Sequence, residues 1–510
     1  MAKRERTCFL LLTIVLGSSI RLSPLFFRWV LGVLNLPFGN GGLYILFARE
    51  IMRHHYALPV TIPYYTIDGV PYAYPPLAFY IVAILLDLTS VAEFTLSSFL
   101  PAIFSCVTVV VFYRMAIEFT QDERTAAFAT LIYASLPAAF VEHLPGEGLV
   151  EALGTITFIV AVIWLLRASW SNDRRYLLLA GAGIGLNVLT SPGAAYGIVI
   201  SAVVLWLIGH FRQARLWSGR LIAALAWGGL VSAPYWLTVA IRHTSAIFLR
   251  TFFNQHLNIL TDLVFKASIA ISEEPFLAVW GTLALLGFLW CLASRRHLLP
   301  IWTLSIYAIP REFPYLLAVP LALLAAYGLL EVVVPAFRRL EREHRVSKRI
   351  ADLVILILLV YGLWSALNVS FRLVISETYV TREELETMQW IRANTPQEAT
   401  FLVLGDELEW FPAVTERTTL NVPEGSEWAE TDTVYRLEGD LSMCRLPSCW
   451  LETTHQYGLF PQYIYISKIP DTACVIEAAR REPTLAVEYE NVGSILFRVE
   501  TAWSGSPCPE

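Results

Sequence analysis

A series of apolar runs, most of them close to the length that crosses a bilayer, constrains this chain more than any other feature. A membrane-spanning helix needs about 20 predominantly apolar residues. With the first helix and one further short segment, the runs predict an α-helical polytopic membrane bundle of about 11–13 membrane helices. The runs lie at 98–118, 126–141, 148–167, 176–190, 194–211, 219–240, 275–293, 298–310, 313–335 and 351–368.

Composition and charge support this class and exclude others. The mean hydropathy is +0.55, 56% of the residues are apolar and only 16% are charged, as in polytopic membrane proteins. Residues 371–510 contain 23 acidic and 10 basic residues, net −13, whereas residues 1–370 carry net +7. An acidic region therefore follows a mildly basic membrane region. The sequence has no basic stripe of the kind that binds nucleic acid, so nucleic acid is excluded as a partner.

Basic clusters predict the orientation of a multi-pass protein of the cell membrane. The chain begins with MAKRER and continues into the apolar segment Cys8–Ile20, which predicts a first helix with a cytoplasmic N-terminus. Alternating the runs from there places four further basic clusters in the cytoplasm. The same alternation places residues 22–97 and the tail after 369 outside the cytoplasm. The four clusters contain Arg174–Arg175, Arg212–Arg220, Arg295–Arg296 and Phe337–Arg349.

The first outer loop, residues 22–97, begins and ends on the same side under this alternation. Pro75–Leu86 is apolar but only about a dozen residues long, the length of a re-entrant or interfacial segment. We therefore expect it to dip into the membrane without crossing. Leu25–Leu36 and Leu43–His54 each have an apolar and a polar face, which predicts two short helices on the outer surface.

The tail, residues 370–510, changes in character and predicts a small extracytoplasmic α/β domain. ATFLVLG, YIYIS and SILFRVE are typical of short strands, whereas TREELETMQWIRANTP and ACVIEAARR are typical of helices. Four cysteines fall in this region, and an exported domain permits disulfides. Four cysteines allow three pairings, and proximity in sequence favours Cys444 with Cys449 over pairings that use Cys474 or Cys508.

Several motifs, taken in order, resemble the GT-C superfamily of membrane glycosyltransferases, such as protein O-mannosyltransferases and aminoarabinose transferases. They are NGGLY (Asn40–Tyr44), ARE (Ala48–Glu50), PYAYPPLAFY (Pro71–Tyr80) and REFPYLLAVPLALLAAYG (Arg311–Gly328). The resemblance implies a membrane domain over residues 1–369 that takes a sugar from a polyprenyl-phosphate-linked donor. A lipid phosphate is a reasonable leaving group, so the chemistry requires no cofactor, and the involvement of a divalent cation stays open. The acceptor, whether lipid, glycan or protein, is not specified.

Transfer needs a base that removes a proton from the acceptor hydroxyl. The resemblance places an aspartate at the position of Asn40, and an amide cannot accept that proton. Another carboxylate must then act as the base, and Glu147 is preferred because the resemblance places an acid there, facing the first loop. Helix-start acids are also common for electrostatic reasons alone. Glu50 and Asp68 are the alternatives in the loop, although Asp68-Gly69 is equally a turn signal.

Binding of the donor needs cations and sugar-stacking surfaces. Arg311 is the best candidate for the phosphate, because arginine binds phosphate oxygens in a fixed fork. Tyr315 lies nearby at the start of the same apolar run. The remaining candidates each have an ordinary alternative, namely interfacial anchoring for the tyrosines and a solvated helix end for the histidines. They are Tyr72, Tyr74, His54 and His55.

The function that follows is transfer of a sugar from a polyprenyl-phosphate-linked donor to an extracytoplasmic acceptor hydroxyl. Asn40 makes a catalytically silent scaffold of the same fold the principal alternative. A transporter is less well supported, because the sequence shows no repeated set of spans with paired broken helices. The partners implied are the donor lipid, the bilayer and the acceptor.

Overall fold

The structure is a computed structural model, and it describes residues 3–500 apart from 145, 147, 172, 210–213, 245–246, 248–271, 309–313, 344–348, 377–379, 406–408, 429–432 and 445. Within these ranges, six helices are long and apolar enough to span a membrane. The number becomes seven if Glu123–Ser135 and Pro137–His143, which meet at 89°, form one broken span. Leu77–Leu88, Pro192–Leu207, Val279–Ala293 and Leu298–Tyr307 are shorter apolar helices. The predicted helical membrane bundle is confirmed.

The membrane helices follow the predicted apolar runs closely. The run 126–141 is the exception, because the chain turns sharply at Leu136–Pro137 and continues in two short 3-10 turns, Pro137–Ala139 and Val141–His143. Proline cannot donate the hydrogen bond that would continue the helix. The helices are α1 (Lys3–Val30), α2 (Gly42–Arg53), α3 (Leu77–Leu88), α4 (Glu93–Thr120), α5 (Glu123–Ser135), α6 (Gly148–Trp170), α7 (Arg174–Thr190), α8 (Pro192–Gly209), α9 (Ala214–His243), α10 (Val279–Ala293), α11 (Leu298–Tyr307), α12 (Pro314–Tyr327) with a π turn (Gly328–Val333), α13 (Val334–Arg342) and α14 (Ile350–Ser376).

The first loop contains one predicted helix and lacks another. α2 confirms the helix expected at Leu43–His54, and α3 begins directly after Pro75-Pro76. The separate surface helix expected at Leu25–Leu36 is wrong, because α1 continues to Val30 and the chain then turns back. Gly32 has a positive φ of 74°, and Arg28 Nη2 donates to the carbonyl oxygens of Leu34 at 3.2 Å and Leu36 at 2.7 Å. These contacts hold residues 33–36 as a turn against the end of α1.

The region after α14 folds as an α/β unit, as predicted. The first loop contains the short strands β1 (Thr61–Ile62) and β2 (Val70–Pro71), and the sheet of this unit contains β3 (Thr400–Leu404), β4 (Thr418–Thr419), β5 (Tyr463–Ser467), β6 (Leu485–Glu490) and β7 (Ser494–Val499). The order of the sheet is β4-β3-β5-β7-β6, in which β3 is parallel to β4 and β5 while β7 is antiparallel to its neighbours. Cys444 and Cys449 form a disulfide, which confirms the preferred pairing; Cys474 is free and exposed, and Cys508 lies outside the described residues. The helices of the unit are α15 (Arg382–Asn394), α16 (Trp410–Thr415), α17 (Thr433–Ser442), α18 (Pro447–Gln456) and α19 (Ala473–Arg481).

This α/β unit packs directly on the first loop. One continuous apolar core includes Leu46 and Phe47 from α2, Phe79 from α3 and Phe401 and Phe411 from the C-terminal region. Thr419 N donates to the carbonyl oxygen of Tyr64 at 2.8 Å. The loop therefore lies between the membrane bundle and the C-terminal region.

Inside the bundle, α10 crosses the end of α12 with backbone against backbone. A Cβ added to Gly287 would overlap the carbonyl oxygen of Leu324, and one added to Gly328 would overlap that of Leu283. Small residues allow this close approach of membrane helices.

We predict that Gly287→Ala destabilises the protein, because the added methyl forces the two backbones apart. Overpacking of this kind costs about 1–3 kcal/mol. Gly229→Ala is the matched control, since no atom lies within 4 Å of a Cβ at Gly229 in α9, and alanine is favoured over glycine in a helix by about 1 kcal/mol. Thermal unfolding in detergent should show a lower Tm for Gly287→Ala only. Equal Tm values for the two variants would contradict the close crossing.

Candidate active site

The first loop contacts Gly146, just before the start of α6 at one end of the bundle. Gly146 N donates to the carbonyl oxygen of Phe38 at 2.9 Å, and a Cβ on Gly146 would lie only 2.5 Å from the carbonyl oxygen of Asn40. The Asn40 side chain itself is exposed. The structure therefore places Asn40 beside Gly146, the residue that precedes Glu147 in the sequence. Glu147 and Arg311 themselves lie outside the described residues.

A cluster of polar side chains lies inward of this junction, where α6 and α12 begin. The side chain of Glu151 lies next to Tyr315 and Ser191, and its Oε2 atom is buried. Glu142 is close enough to interact electrostatically with Glu151. Tyr315 is buried, and its ring lies 5.7 Å from that of His143. Tyr315, predicted to bind substrate, thus stands beside an acid within a membrane helix, a position at which acids are rare and usually functional.

The two other predicted acids have different surroundings. Glu50 is buried and accepts a hydrogen bond from Arg53 Nη1 at 2.7 Å, so its charge is already paired. It lies eight residues beyond the start of α2, about 12 Å along the helix. Asp68 is exposed at the turn of the hairpin formed by β1 (Thr61–Ile62) and β2 (Val70–Pro71), before Gly69 with φ 71°. Both positions are accounted for without a role as base.

The predicted binding tyrosines and histidines are not gathered at Asn40. Tyr72 is buried against Phe47, with ring centroids 4.9 Å apart, so it is a core residue and not a platform for a sugar. Tyr74 is half-buried, and its ring lies 5.2 Å from that of Trp428 in the C-terminal region. His54 and His55 are exposed at the other end of α2, where His54 Nδ1 lies 2.9 Å from the carbonyl oxygen of Glu50.

Sequence reasoning missed the contact that holds the Asn40 loop. Glu409, in the C-terminal region, accepts hydrogen bonds from the backbone N–H groups of Gly41 at 2.7 Å, Gly42 at 2.8 Å and Leu43 at 2.8 Å. The Nε1 of Trp410 donates to the carbonyl oxygen of Gly39 at 2.7 Å. A weak signal existed, because the acids of GDELEW follow the predicted strand ATFLVLG, and functional groups collect at the carboxyl ends of parallel strands.

Burial gives Glu409 an unusual proton affinity. Burial, and then the nearby Glu424, raise the pKa of Glu409 to about 8, against the lowering effect of the three backbone donors. Burial also raises the pKa of Glu424 to about 7. Tyr65 donates to the Glu409 carbonyl oxygen at 2.7 Å and interacts electrostatically with Glu409, Glu424 and Arg49, while Glu438 acts on Glu424.

The opposite end of α2 is held by ion pairs. Arg49 pairs with Glu93 at the start of α4 and donates to the carbonyl oxygen of Ala413 at 2.5 Å. Glu416 accepts from Arg53 and from Arg392, each at 2.9 Å. These residues join α2, α4 and the C-terminal region. Among the described residues, no group of three His, Cys, Asp or Glu side chains forms a metal site.

Comparisons with known proteins confirm the resemblance found in the sequence. Residues 73–237 match the sequence model of the dolichyl-phosphate-mannose-protein mannosyltransferase family. No curated protein sequence matches the chain significantly. The fold is similar to that of the oligosaccharyltransferase AglB from Archaeoglobus fulgidus, whose structure was solved with an inhibitory peptide and a dolichol-phosphate. The TM-score is 0.65 and the sequence identity is 15%, and the match covers 99% of this chain and 75% of AglB.

A second solved structure matches over its whole length. This is ArnT from Cupriavidus metallidurans bound to undecaprenyl phosphate, with a TM-score of 0.60 at 14% identity, covering 99% of this chain and 100% of ArnT. The chain therefore has the fold of the GT-C glycosyltransferases, which was the expectation from its motifs.

We predict that stability falls as pH rises from about 4.5 to 8, because the ordinary glutamate pKa of 4.5 is raised to about 8 in the folded chain. The folded state then binds more protons than the unfolded state across this window, with a slope of at most about 1.4 kcal/mol per pH unit per group. Thermal unfolding at pH 6 and 8.5 should show a smaller Tm difference for Glu409→Gln than for the unchanged protein. The same pH dependence in both would refute the assignment to Glu409.

Proposed function

We propose that this protein is a membrane glycosyltransferase that moves a sugar from a polyprenyl-phosphate-linked donor to an acceptor hydroxyl on the outer side of the cell membrane. The observation that carries this proposal is the contact of the Asn40 loop with Gly146 at one end of a bundle with the GT-C fold. The family-model match over residues 73–237 supports the same activity. AglB and ArnT were solved with dolichol-phosphate and undecaprenyl phosphate, which supports a polyprenyl-phosphate donor.

In the proposed reaction, a carboxylate accepts the proton of the acceptor hydroxyl as its oxygen forms a bond to the anomeric carbon. The bond between that carbon and the phosphate oxygen breaks, and the electron pair leaves on the lipid phosphate. Glu147 is proposed as the base, because its neighbour Gly146 contacts the Asn40 loop. Arg311 is proposed to neutralise the phosphate, because it precedes Tyr315 by four residues at the start of α12. The reaction as written needs no cofactor.

Asn40 has a defined role in this proposal. Its amide is exposed at the junction and can orient a hydroxyl group by donating and accepting hydrogen bonds. Glu151 supplies a second carboxylate inward of the junction, beside Tyr315. The presence of these acids favours an active enzyme over a silent scaffold, and the absence of Asp at position 40 changes which residue acts as the base.

We predict that Glu147→Gln lowers kcat about 10²–10⁴-fold, which is the usual contribution of a positioned base. Donor binding should change little, because glutamine keeps the size and hydrogen bonding of the side chain. The measurement is sugar transfer from polyprenyl-phosphate donors by purified protein in lipid. Asp68→Asn is the matched control, since the same loss of a carboxylate at the exposed hairpin turn should leave kcat unchanged.

The outcomes of this assay separate the alternatives. Full activity in Glu147→Gln with a loss in Asp68→Asn would transfer the role of base to Asp68. Asn40→Asp should remain active. If the unchanged protein is inactive and only the Asn40→Asp variant transfers sugar, the result would support the silent-scaffold alternative.

We also predict the orientation from labelling of Cys474, which is free and exposed in the C-terminal region. If this region lies outside the cytoplasm, a membrane-impermeant maleimide should label the Cys508→Ser variant in intact cells, and adding Cys474→Ser should remove that label. In the background that carries both substitutions, His297→Cys between α10 and α11 should stay unlabelled until the cells are permeabilised. Labelling of His297→Cys in intact cells would reverse the orientation.

A further inference from the structure

The start of α2 has no capping side chain within its own segment. Gly41 occupies the N-cap position, and no side chain of that residue can accept a hydrogen bond. The first N–H groups of any helix lack partners inside the helix. Here the two side-chain oxygens of Glu409, 366–368 positions later in the chain, accept from all three N–H groups of Gly41, Gly42 and Leu43. A side chain of the C-terminal region thus caps the helix that follows Asn40.

The two glycines of NGGLY are needed for this approach. A Cβ on Gly42 would lie 2.8 Å from the carbonyl oxygen of Glu409 and 3.0 Å from the Cα of Trp410. A Cβ on Gly41 would lie 3.0 Å from the Cα of Gly146 on one side and 3.2 Å from the Trp410 ring on the other. The loop therefore packs closely between Gly146 and the Glu409-Trp410 segment, with no space for a side chain at positions 41 and 42.

Asn40 is fixed from both sides by the same segment. Trp410 Nε1 donates a hydrogen bond to the carbonyl oxygen of Gly39, the residue before Asn40. Glu409 accepts a hydrogen bond from the N–H of Gly41, the residue after Asn40. The Asn40 carbonyl oxygen faces Gly146, while the Asn40 side chain remains exposed. These contacts define the backbone position from which the amide projects.

We propose that Glu409 is a positioning residue for sugar transfer: by capping α2 it holds the Asn40 loop against Gly146, so that transfer depends on the docked C-terminal region. This inference rests on the proposed function above. Glu409 does not touch the reacting groups. Its effect is on orientation, and a displacement of about 1 Å in a positioning element can lower a rate about 10²-fold.

The test compares Glu409→Ala, Glu409→Gln and Glu416→Gln in the full chain in lipid nanodiscs. Glu416→Gln is the matched control, because Glu416 joins the same C-terminal region to the other end of α2, about 16 Å from the cap. Two measurements are made. One is amide hydrogen exchange of a peptide covering residues 38–46, which needs no substrate, and the other is transfer kinetics with polyprenyl-phosphate sugar donors.

Glu409→Ala should raise exchange of the Gly41–Leu43 amides at least about 10-fold, since three hydrogen bonds are lost. It should lower kcat about 10²-fold with little change in the KM for the donor. Glu409→Gln should give intermediate values of both, because its one amide oxygen can accept from the N–H groups of Gly41 and Gly42 whereas its NH2 group cannot accept from Leu43 N. Glu416→Gln should match the unchanged protein in both measurements.

Two results would overturn the proposal. An unchanged rate of amide hydrogen exchange in Glu409→Ala would show that the cap does not order the loop. This result does not depend on finding a sugar donor that the protein uses. Faster exchange with kcat retained would remove the positioning role and leave the proposed glycosyltransferase activity intact. If Glu409→Ala fails to accumulate, Glu409→Asp provides the same test, because its side chain is shorter by one methylene group and no longer reaches the start of α2. This variant should then show faster amide hydrogen exchange and a lower kcat.

Discussion

Glu409 accepts from three backbone N–H groups at the start of α2, and the arrangement of the first loop and the C-terminal region depends on this interaction. An uncapped, buried helix start would leave donors unsatisfied, at about 1–3 kcal/mol for each buried group. The carboxylate removes that penalty only where the C-terminal region touches the first loop. The apolar core shared by Phe47, Phe79 and Phe411 extends the same contact over a larger surface. The loop, the bundle and the C-terminal region thus form one continuous packed structure.

The bundle supplies the rigid side of this arrangement. The backbone crossing of α10 and α12 at Gly287 and Gly328 fixes the helix whose first turn carries Tyr315. The sharp break after α5 brings His143 inward, where its Nε2 lies 3.0 Å from Thr155 Oγ1 on α6. Both features orient the beginnings of α6 and α12, where Glu151 and Tyr315 meet. Functional side chains at the ends of rigid helices, facing a polar loop, are a common way of building a site in a membrane protein.

Local patterns predicted most of the elements, because those elements are determined by short-range hydrophobic periodicity. The helix ACVIEAARR and the strand YIYIS match Ala473–Arg481 and Tyr463–Ser467, and the motif NGGLY identified the loop at the centre of the candidate site. The expectation for Leu25–Leu36 failed because Arg28 and Gly32 turn the chain there, which an amphipathic pattern does not reveal. Glu409 was missed because its partners are backbone groups more than 360 residues away, and no periodicity records such a pairing. Tyr72 was assigned to substrate for a related reason, since sequence alone does not distinguish a buried ring from an exposed one.

The separation between Glu409 and the helix that it caps has a consequence for biosynthesis. A ribosome that adds 5–20 residues per second reaches Glu409 roughly 20–70 s after it has made Gly42. Throughout that interval the bundle can insert helix by helix while α2 still lacks its cap. A nascent or prematurely terminated chain would thus occupy the membrane with its first loop unlocked. Residues translated late thus complete a loop that was translated early, so maturation of the loop reports that synthesis has passed Glu409.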